Sequence, residues 1–598
     1  MALRIPFPLL FAYVLILLAL FLVFNHGDIE HTYGSALAYL DGHFLDFYEE
    51  NKRRMGGNDY FPLIYLIFAA WELPLRVLGF DFAAHPSWAL AWVKLVLVLF
   101  FLGSVGVIQR IGAVVFNGSS ASKNLPALLF ATSPITVFAV FIFGGYDIIG
   151  VFFSLLGLYF YVKSDLRKFT LFFAVAASFK FFALVIYLPL LLNRERRLLP
   201  LLLYGLGVLS VLALQALIYR DSAAFQVACC SLFLSKVQGV VGPSGTGTGV
   251  GKIVAPAYLA LCAYAFLAPD RGLHAWRERG ILIAQMAYGL MLFSVVWHPQ
   301  WMVILMPYFA LAYPYLRGPR YRSWFLGLDL LGVLAYFWLT VTNFRGNVDV
   351  SLVNQSVLTH LIPDPILSVS DFLRPDWAWI ADGVFKLYLF LPATLWLLSS
   401  REGDESKAEI RWTPIAIRFC LGLAMFLIPA GLSLTLPVGA ARWLNPAAGM
   451  RAEPIGEWGS LAIGEIFGPH DLLQSFSLPR SQLAGFSVQL ATYARTAKGH
   501  VRFRLIDRTG AVHFEKIVPA ERIRDNHYRD FVFPQPLGEK GQEYALMIDS
   551  SDGQGGSAIT AWVTAHHAYP SGMLLYDGHL MDADLVMRLL YDPNEKNP

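Results

Sequence analysis

Long apolar runs alternate with short polar turns through the first three quarters of the 598 residues, and then the pattern changes. The first run, 5–24, is about 20 residues long, enough for a helix to cross a hydrocarbon core of about 30 Å. Twelve more lie near 88–108, 124–143, 148–163, 169–178, 181–192, 198–219, 253–268, 281–296, 299–316, 324–342, 380–400 and 414–437. Beyond 437, apolar and polar residues alternate with a period of two, as in Phe486/Val488/Leu490, Val501/Phe503/Leu505, Tyr544/Leu546/Ile548 and Ile559/Ala561/Val563. Turns such as Arg508-Thr509-Gly510 separate these short strands. The pattern predicts a polytopic α-helical membrane domain over 1–440 and an extramembranous β-sandwich or jelly roll over 445–598.

Charge fixes the expected topology. Basic turns at Lys163/Arg167/Lys168, Arg194/Arg196/Arg197, Arg271/Arg277/Arg279, Arg317/Arg320/Arg322 and Arg401/Lys407/Arg411 belong on the cytoplasmic side. They all fall there only if 60–80 does not cross, and that stretch carries Glu72, Pro74 and Arg76, which are costly in lipid. It is expected as a helix in the outer interface, leaving thirteen crossings. Segments 169–178 and 181–192 then form a short pair with Ser178-Phe179-Lys180 at its tip. No small-residue cleavage site follows residue 24, so the first run reads as a retained helix with Arg4 in the cytoplasm. The external side receives the segment 25–59, expected as an acidic loop, together with Gly144–Asp147, Lys180, loop 220–252, residues 297–301, loop 343–379 and the C-terminus.

Composition narrows the class. Hydrophobic residues make up 56% and charged ones 15%, against about 25% charged in soluble domains. No basic tract indicates nucleic acid. Four cysteines are too few for a disulfide framework, and no zinc-type spacing appears.

The candidate chemistry is external. Residues 25–59 hold seven carboxylates, and Asp28 and Glu30 stand just beyond the first span, where a carboxylate can take a proton from a sugar hydroxyl. Asp28 is the candidate base; a solvated loop carboxylate is the plainer reading. Lys180, a lone cation between two apolar segments, is a candidate for a lipid phosphate, against a snorkelling lysine. His298, in Trp-His-Pro-Gln-Trp, could donate to the same phosphate or belong to an interfacial aromatic belt. Asp147 after Gly144-Gly145 suits acceptor or metal binding, or a plain turn, and Arg345 and Arg374 are weaker phosphate candidates. The glycine-rich stretch 242–252 ends in lysine but carries Thr246 and Ile253 where a nucleotide-binding loop needs Gly and Ser or Thr.

These residues resemble the GT-C superfamily of integral-membrane glycosyltransferases, closest to the dolichyl-phosphate glucosyl- and mannosyltransferases. Gly27-Asp28-Ile29-Glu30 looks like their Gly-Asp-aromatic-Glu, and Asp59-Tyr60-Phe61-Pro62-Leu63 like their Asp-Tyr-Pro-Pro-Leu. Ser133-Pro134 with Gly144–Asp147, Ser178-Phe179-Lys180 with Leu188-Pro189, and Trp297–Gln300 are similar to later family segments. Phe61 and Gly145 depart from the pattern, and loop 220–252 lacks an obvious Arg-Gly. The resemblance spans about 1–320. It implies an inverting transfer from a polyprenyl-phosphate sugar to a glycan or glycolipid hydroxyl, on the external face of what is expected to be a bacterial inner membrane. Asp28 would be the base and Lys180 and His298 would surround the donor phosphate, with a divalent cation (Mg or Mn) bridging Asp28 and Glu30 left open. The rivals are an O-antigen polymerase or ligase, which would lean on external arginines, and a polyprenyl-lipid transporter or flippase, which would show inverted repeats or a chain of buried charges. For the C-terminal domain, Trp562, Tyr569 and Tyr576 are candidate carbohydrate contacts, with core packing the plainer role for Trp562.

Overall fold

The computed structural model of the chain describes residues 6–592 apart from 56–59, 83, 117–119, 232–250, 270–271, 296–297, 345–347, 349–351, 354–355, 360, 363–366, 374–376, 401–411, 457–460, 493–496, 524–526, 565–566 and 568. Asp59, most of 242–252, Arg271, Trp297, Arg345, Arg374, Arg401, Lys407 and Arg411 therefore lie outside the described residues. The chain divides into two compact units, 1–364 with 373–430, and 365–372 with 431–598.

The first unit is helical. Its N-terminal elements are α1 (Phe7–Val23), α2 (Gly27–Leu40), α3 (Phe47–Met55), α4 (Pro62–Val77), α5 (Pro86–Val115), α6 (Ser120–Ala131), α7 (Pro134–Val137), α8 (Asp147–Val162), α9 (Leu166–Phe179), α10 (Phe182–Leu192) and α11 (Leu198–Ile218). Each of the thirteen expected apolar segments contains helix, and several are interrupted by turns. Among the described residues, four helices are long and apolar enough to cross a membrane: α5, α11, Pro319–Asn343 and Trp412–Thr435. Among the described residues the number rises to seven if each of three bent pairs is one span: α1 with α2, Lys123–Ala131 with Pro134–Ile142, and Ala378–Tyr388 with Leu391–Ser399. Thirteen full crossings is therefore more than these lengths give, because several runs are interrupted. Run 299–316 splits into a 3-10 turn at Pro299–Ile304, a short helix at Met306–Ala312 and a second 3-10 turn at Tyr313–Tyr315, with Pro307 and Pro314 unable to donate to a continuous ladder. Leu198, Leu202, Leu206 and Leu217 of α11 face outward. Apolar surface on that scale needs lipid around it, and the chain is an integral membrane protein.

Segment 25–59 is not a loop. α2 leaves α1 at 69° and α3 follows it, so most of the acidic stretch is helical. Ile29, Thr32, Ala36 and Tyr39 recur at helical spacing and bury one face of α2, while Asp28 and Glu30 fall in its first turn, where carboxylates suit the helix dipole. α4 occupies the stretch expected as a surface helix. Its Glu72 is fully buried rather than solvated, and Arg76 pairs with Asp41 at the end of α2, 2.8 Å away.

The second unit is a β-sandwich. Its strands are β1 (Arg451–Pro454), β2 (Leu461–Ala462), β3 (Leu472–Ser477), β4 (Leu483–Ala491), β5 (His500–Asp507), β6 (Val512–Pro519), β7 (His527–Leu537), β8 (Glu543–Asp549), β9 (Thr560–Val563), β10 (Leu574–Tyr576), β11 (His579–Met581) and β12 (Met587–Tyr591). One antiparallel sheet runs β1-β12-β4-β9-β2 with β7 on β4, and the other β11-β10-β3-β8-β5-β6. Phe486, Val488 and Leu490 of the first sheet share a core with Phe503, Leu505, Leu546 and Ile548 of the second, as the period of two predicts. The carbohydrate candidates Tyr569 and Tyr576 pack on that core and donate their hydroxyls to the backbone carbonyls of Ser477 and Glu465, both at 2.9 Å. Trp562 is half-buried in β9.

Candidate active site

Four places where helices break converge in the helical unit. α1 ends at Val23 because the next amides bond elsewhere: Asn25 N–H donates to the Leu352 carbonyl at 2.6 Å and His26 N–H to that of Phe143 at 3.1 Å. Lys94 of α5, almost wholly buried, donates to the freed carbonyls of Phe21 and Phe24, both at 2.6 Å. His26 then caps α2, its Nδ1 lying 3.2 Å from the Asp28 amide, and its ring stacks on Phe143 at 4.2 Å.

At the second break a π-helical turn, Phe138–Ile142, leads into Gly144 and Gly145 and so to α8. Both glycines are needed for space. Gly144 has φ +73°, and a Cβ there would lie 2.9 Å from Asn25 Oδ1; a Cβ on Gly145 would lie 2.9 Å from both the Ala139 carbonyl and Gln300 Cβ. The pair thus lets the first segment and the 298–304 segment close on either side of it. At the third break Lys180 is extended (φ −149°, ψ 126°) between α9 and α10, the tip of the expected short pair. The fourth is the 3-10 turn at Pro299–Ile304, which brings in Gln300 and Trp301.

Lys180 forms a buried ion pair with Asp147, the first residue of α8, with 13% and 2% of the two side chains exposed. Its ammonium also sits 5.1–5.9 Å from the ring centroids of Tyr60, Tyr146, Phe182 and Trp301. Tyr146, Asp147, Lys180 and Phe182 line one cavity with Ser154, Tyr288 and Tyr308.

Asp28 is 40% exposed and lies 3.2 Å from His26 Nδ1 through Oδ1, while Gln300 donates to Oδ2 at 3.4 Å. The tautomer of His26 decides whether that nitrogen caps the amide or donates to the carboxylate. Burial pushes the Asp28 carboxyl up, but hydrogen bonding to His26 and the charges of His26, His298 and Lys180 outweigh it and hold the group below its ordinary value. Glu30 stands two residues further along α2. It accepts from Asn25 Nδ2 at 3.2 Å, and burial raises its carboxyl in spite of that bond. Residues two apart on a helix do not face each other, so Asp28 and Glu30 do not form a ready-made pair on one face of α2. Among the described residues no group of three or more His, Cys, Asp and Glu side chains is placed to hold a metal ion. His298 is exposed, its ring 4.9 Å from Trp301 and 5.8 Å from Phe344.

Of the sequence candidates, Asp28, His298, Lys180 and Asp147 come together here, Glu30 is held by Asn25 beside His26, and Arg345 is outside the described residues. Sequence reasoning missed the aromatic box and the roles of Asn25, His26 and Gln300, although all three polar residues adjoin quoted motifs. It also missed Lys94 and the Asp329–Arg418 ion pair, in which Asp329 accepts from Tyr388 and Arg418 donates to the Leu129 carbonyl, and it placed Glu72 at the interface where the structure buries it. Lys94 and the Asp329–Arg418 pair are each committed to local partners.

No family model and no curated protein sequence matches this chain. Among solved structures it is similar to ArnT from Cupriavidus metallidurans, crystallised with undecaprenyl phosphate, at 14% identity and a TM-score of 0.39 over 77% of this chain and 82% of that one. An overlap that loose does not define a shared fold.

Proposed function

We propose that the helical unit is an inverting glycosyltransferase of the GT-C kind, moving a monosaccharide from a polyprenyl phosphate to a hydroxyl of a glycan or lipid-linked acceptor on the external face of the membrane. One observation carries the reading: the 298–301 turn joins segments separated by more than a hundred residues, Gln300 donating to the half-exposed Asp28 while its neighbour Trp301 packs near His298 and lies 5.1 Å from the Lys180 ammonium. A carboxylate that is ionised at neutral pH is available to accept the proton of an attacking hydroxyl. The cations beside it suit an anionic leaving group, and a membrane-embedded bundle suits a substrate on a lipid tail.

In the reaction, Asp28 takes the proton of the acceptor hydroxyl as its oxygen attacks the anomeric carbon. The bond between that carbon and the phosphate oxygen breaks, and its electron pair leaves with the lipid phosphate beside Lys180 and His298. One displacement needs one base and inverts the anomeric centre.

The test uses membranes containing the chain, incubated with radiolabelled polyprenyl-phosphate glucose, mannose or arabinose, with Mg²⁺ or Mn²⁺ and with chelator. Asp28→Asn abolishes transfer at unchanged expression; near-normal turnover in that variant removes Asp28 from the role. Loss of turnover on chelation assigns a cation to Asp28 and the donor phosphate.

A further inference from the structure

We propose that Asp147 is the resident counter-ion of Lys180, which the lipid phosphate must displace, and that its return drives the spent phosphate out. The inference rests on the transferase reading above and adds how that site lets go of its product.

Lys180 has no free charge to offer an arriving anion. Its ammonium is paired with Asp147, both side chains are largely shut off from water, and four aromatic rings cover its other sides without offering an acceptor lone pair of comparable strength. A phosphate placed beside that pair meets a neutralised cation and a neighbouring carboxylate that repels it. Binding therefore requires the ammonium to exchange one anion for another. The fold provides for both ends of the exchange. Lys180 lies in an extended stretch between two helices on a long flexible stem, and Asp147 opens α8, whose N-terminal amides favour an anion when the ammonium has turned away.

The benefit follows from charge. A polyprenyl-phosphate sugar is a phosphodiester with one negative charge, whereas the polyprenyl phosphate left behind is a monoester carrying about −1.5 to −2 near neutrality. An unopposed buried cation would hold the product more tightly than the substrate, and turnover would stall on release. A competing carboxylate weakens the dianion most.

The experiment uses the purified full-length chain with undecaprenyl phosphate as the probe, undecaprenol as the uncharged control and inorganic phosphate as the free-anion control, read by native mass spectrometry. Asp147→Asn should bind undecaprenyl phosphate on the order of tenfold more tightly than wild type, with product inhibition of transfer setting in at correspondingly lower concentration. Asp147→Glu, which keeps the charge, should stay near wild type. In the wild-type chain a hydrophobic carbodiimide should join Asp147 to Lys180 through an amide, and undecaprenyl phosphate, but not undecaprenol, should suppress that cross-link. Inorganic phosphate suppressing it equally well would support the exchange and assign the anion to free phosphate. A folded Asp147→Asn that binds no tighter overturns the proposal, and so does a cross-link undiminished at saturating undecaprenyl phosphate. The cross-link decides the matter on wild-type protein if the Asn variant does not fold. Equal binding of the probe to wild type and Lys180→Ala refutes the donor reading itself.

Discussion

Replacing Lys94 with methionine should disable the site from a distance while leaving the bundle folded. The Lys94 amine fills two carbonyls, those of Phe21 and Phe24, that lose their helical partners where α1 breaks. A buried carbonyl left unpaired costs about 1–3 kcal/mol, so the two together lose about 2–6 kcal/mol. Methionine keeps the apolar stem and no longer buries an amine, which returns several kcal/mol. The two effects largely cancel, and global stability should fall by no more than about 3 kcal/mol. The local effect is different in kind. Phe24 lies four residues before Asp28, and with its carbonyl released the turn from Asn25 to Asp28 loses one of the anchors that set its position. A shift of about 1 Å in a reacting group costs on the order of 100-fold in rate. The assay is radiolabelled transfer in membranes beside thermal unfolding of the purified chain, with Lys94→Gln as a variant that retains a shorter donor and should lose less. Turnover within about twofold of wild type in a folded Lys94→Met protein would refute the claim that these two carbonyls fix the Asp28 turn.

Two further outcomes follow from the geometry. His26 is the nearest side-chain hydrogen-bond partner of Asp28, so His26→Phe removes an influence that lowers the carboxyl; the folded value rises, and the acid limb of kcat/KM against pH moves to higher pH, whereas an unmoved limb separates His26 from the base. Asp329→Leu strands the buried Arg418 guanidinium and should cost about 3–5 kcal/mol, while Asp329→Leu combined with Arg418→Met recovers most of it, as thermal unfolding of the three proteins will show.

The periodic parts of the chain were legible and the breaks between them less so. Apolar runs with basic turns predicted helices, and each such run contains helix, because length and hydropathy largely decide whether a segment suits lipid. Strict alternation at Phe486–Leu490 and Val501–Leu505 predicted strands, because one sheet face must be buried. Segment 25–59 misled through its carboxylates. They read as solvated loop residues, whereas the buried face of α2 is carried by small and aromatic side chains (Ser35, Ala36, Tyr39) whose helical spacing is inconspicuous beside the charges. Lys94 was invisible for the opposite reason: it stands alone in an apolar run, and only the folded chain shows what surrounds it. Asp147 and Lys180 were named separately, but nothing in the 32 residues between them indicates that they pair.

The breaks that sequence periodicity handles worst are also where the candidate site is built, and there is a physical reason for the coincidence. An unbroken helix in lipid satisfies its own backbone and turns its polar groups to no one. Wherever it stops, amides and carbonyls need partners, and the partners must be polar side chains in an otherwise apolar surround. Asn25, His26, Lys94 and Ser133, which caps the turn at Pro134, serve that need at the breaks described here. Polar side chains gathered for this purpose also furnish the acids and bases that chemistry at a membrane surface requires. It follows that substitutions restoring helical continuity should harm function more than stability. Gly144→Ala is the sharpest case: it forces φ +73° on a residue with a Cβ and drives that Cβ to within 2.9 Å of Asn25 Oδ1, so the strain falls on the one side chain that bonds both the His26 carbonyl and Glu30.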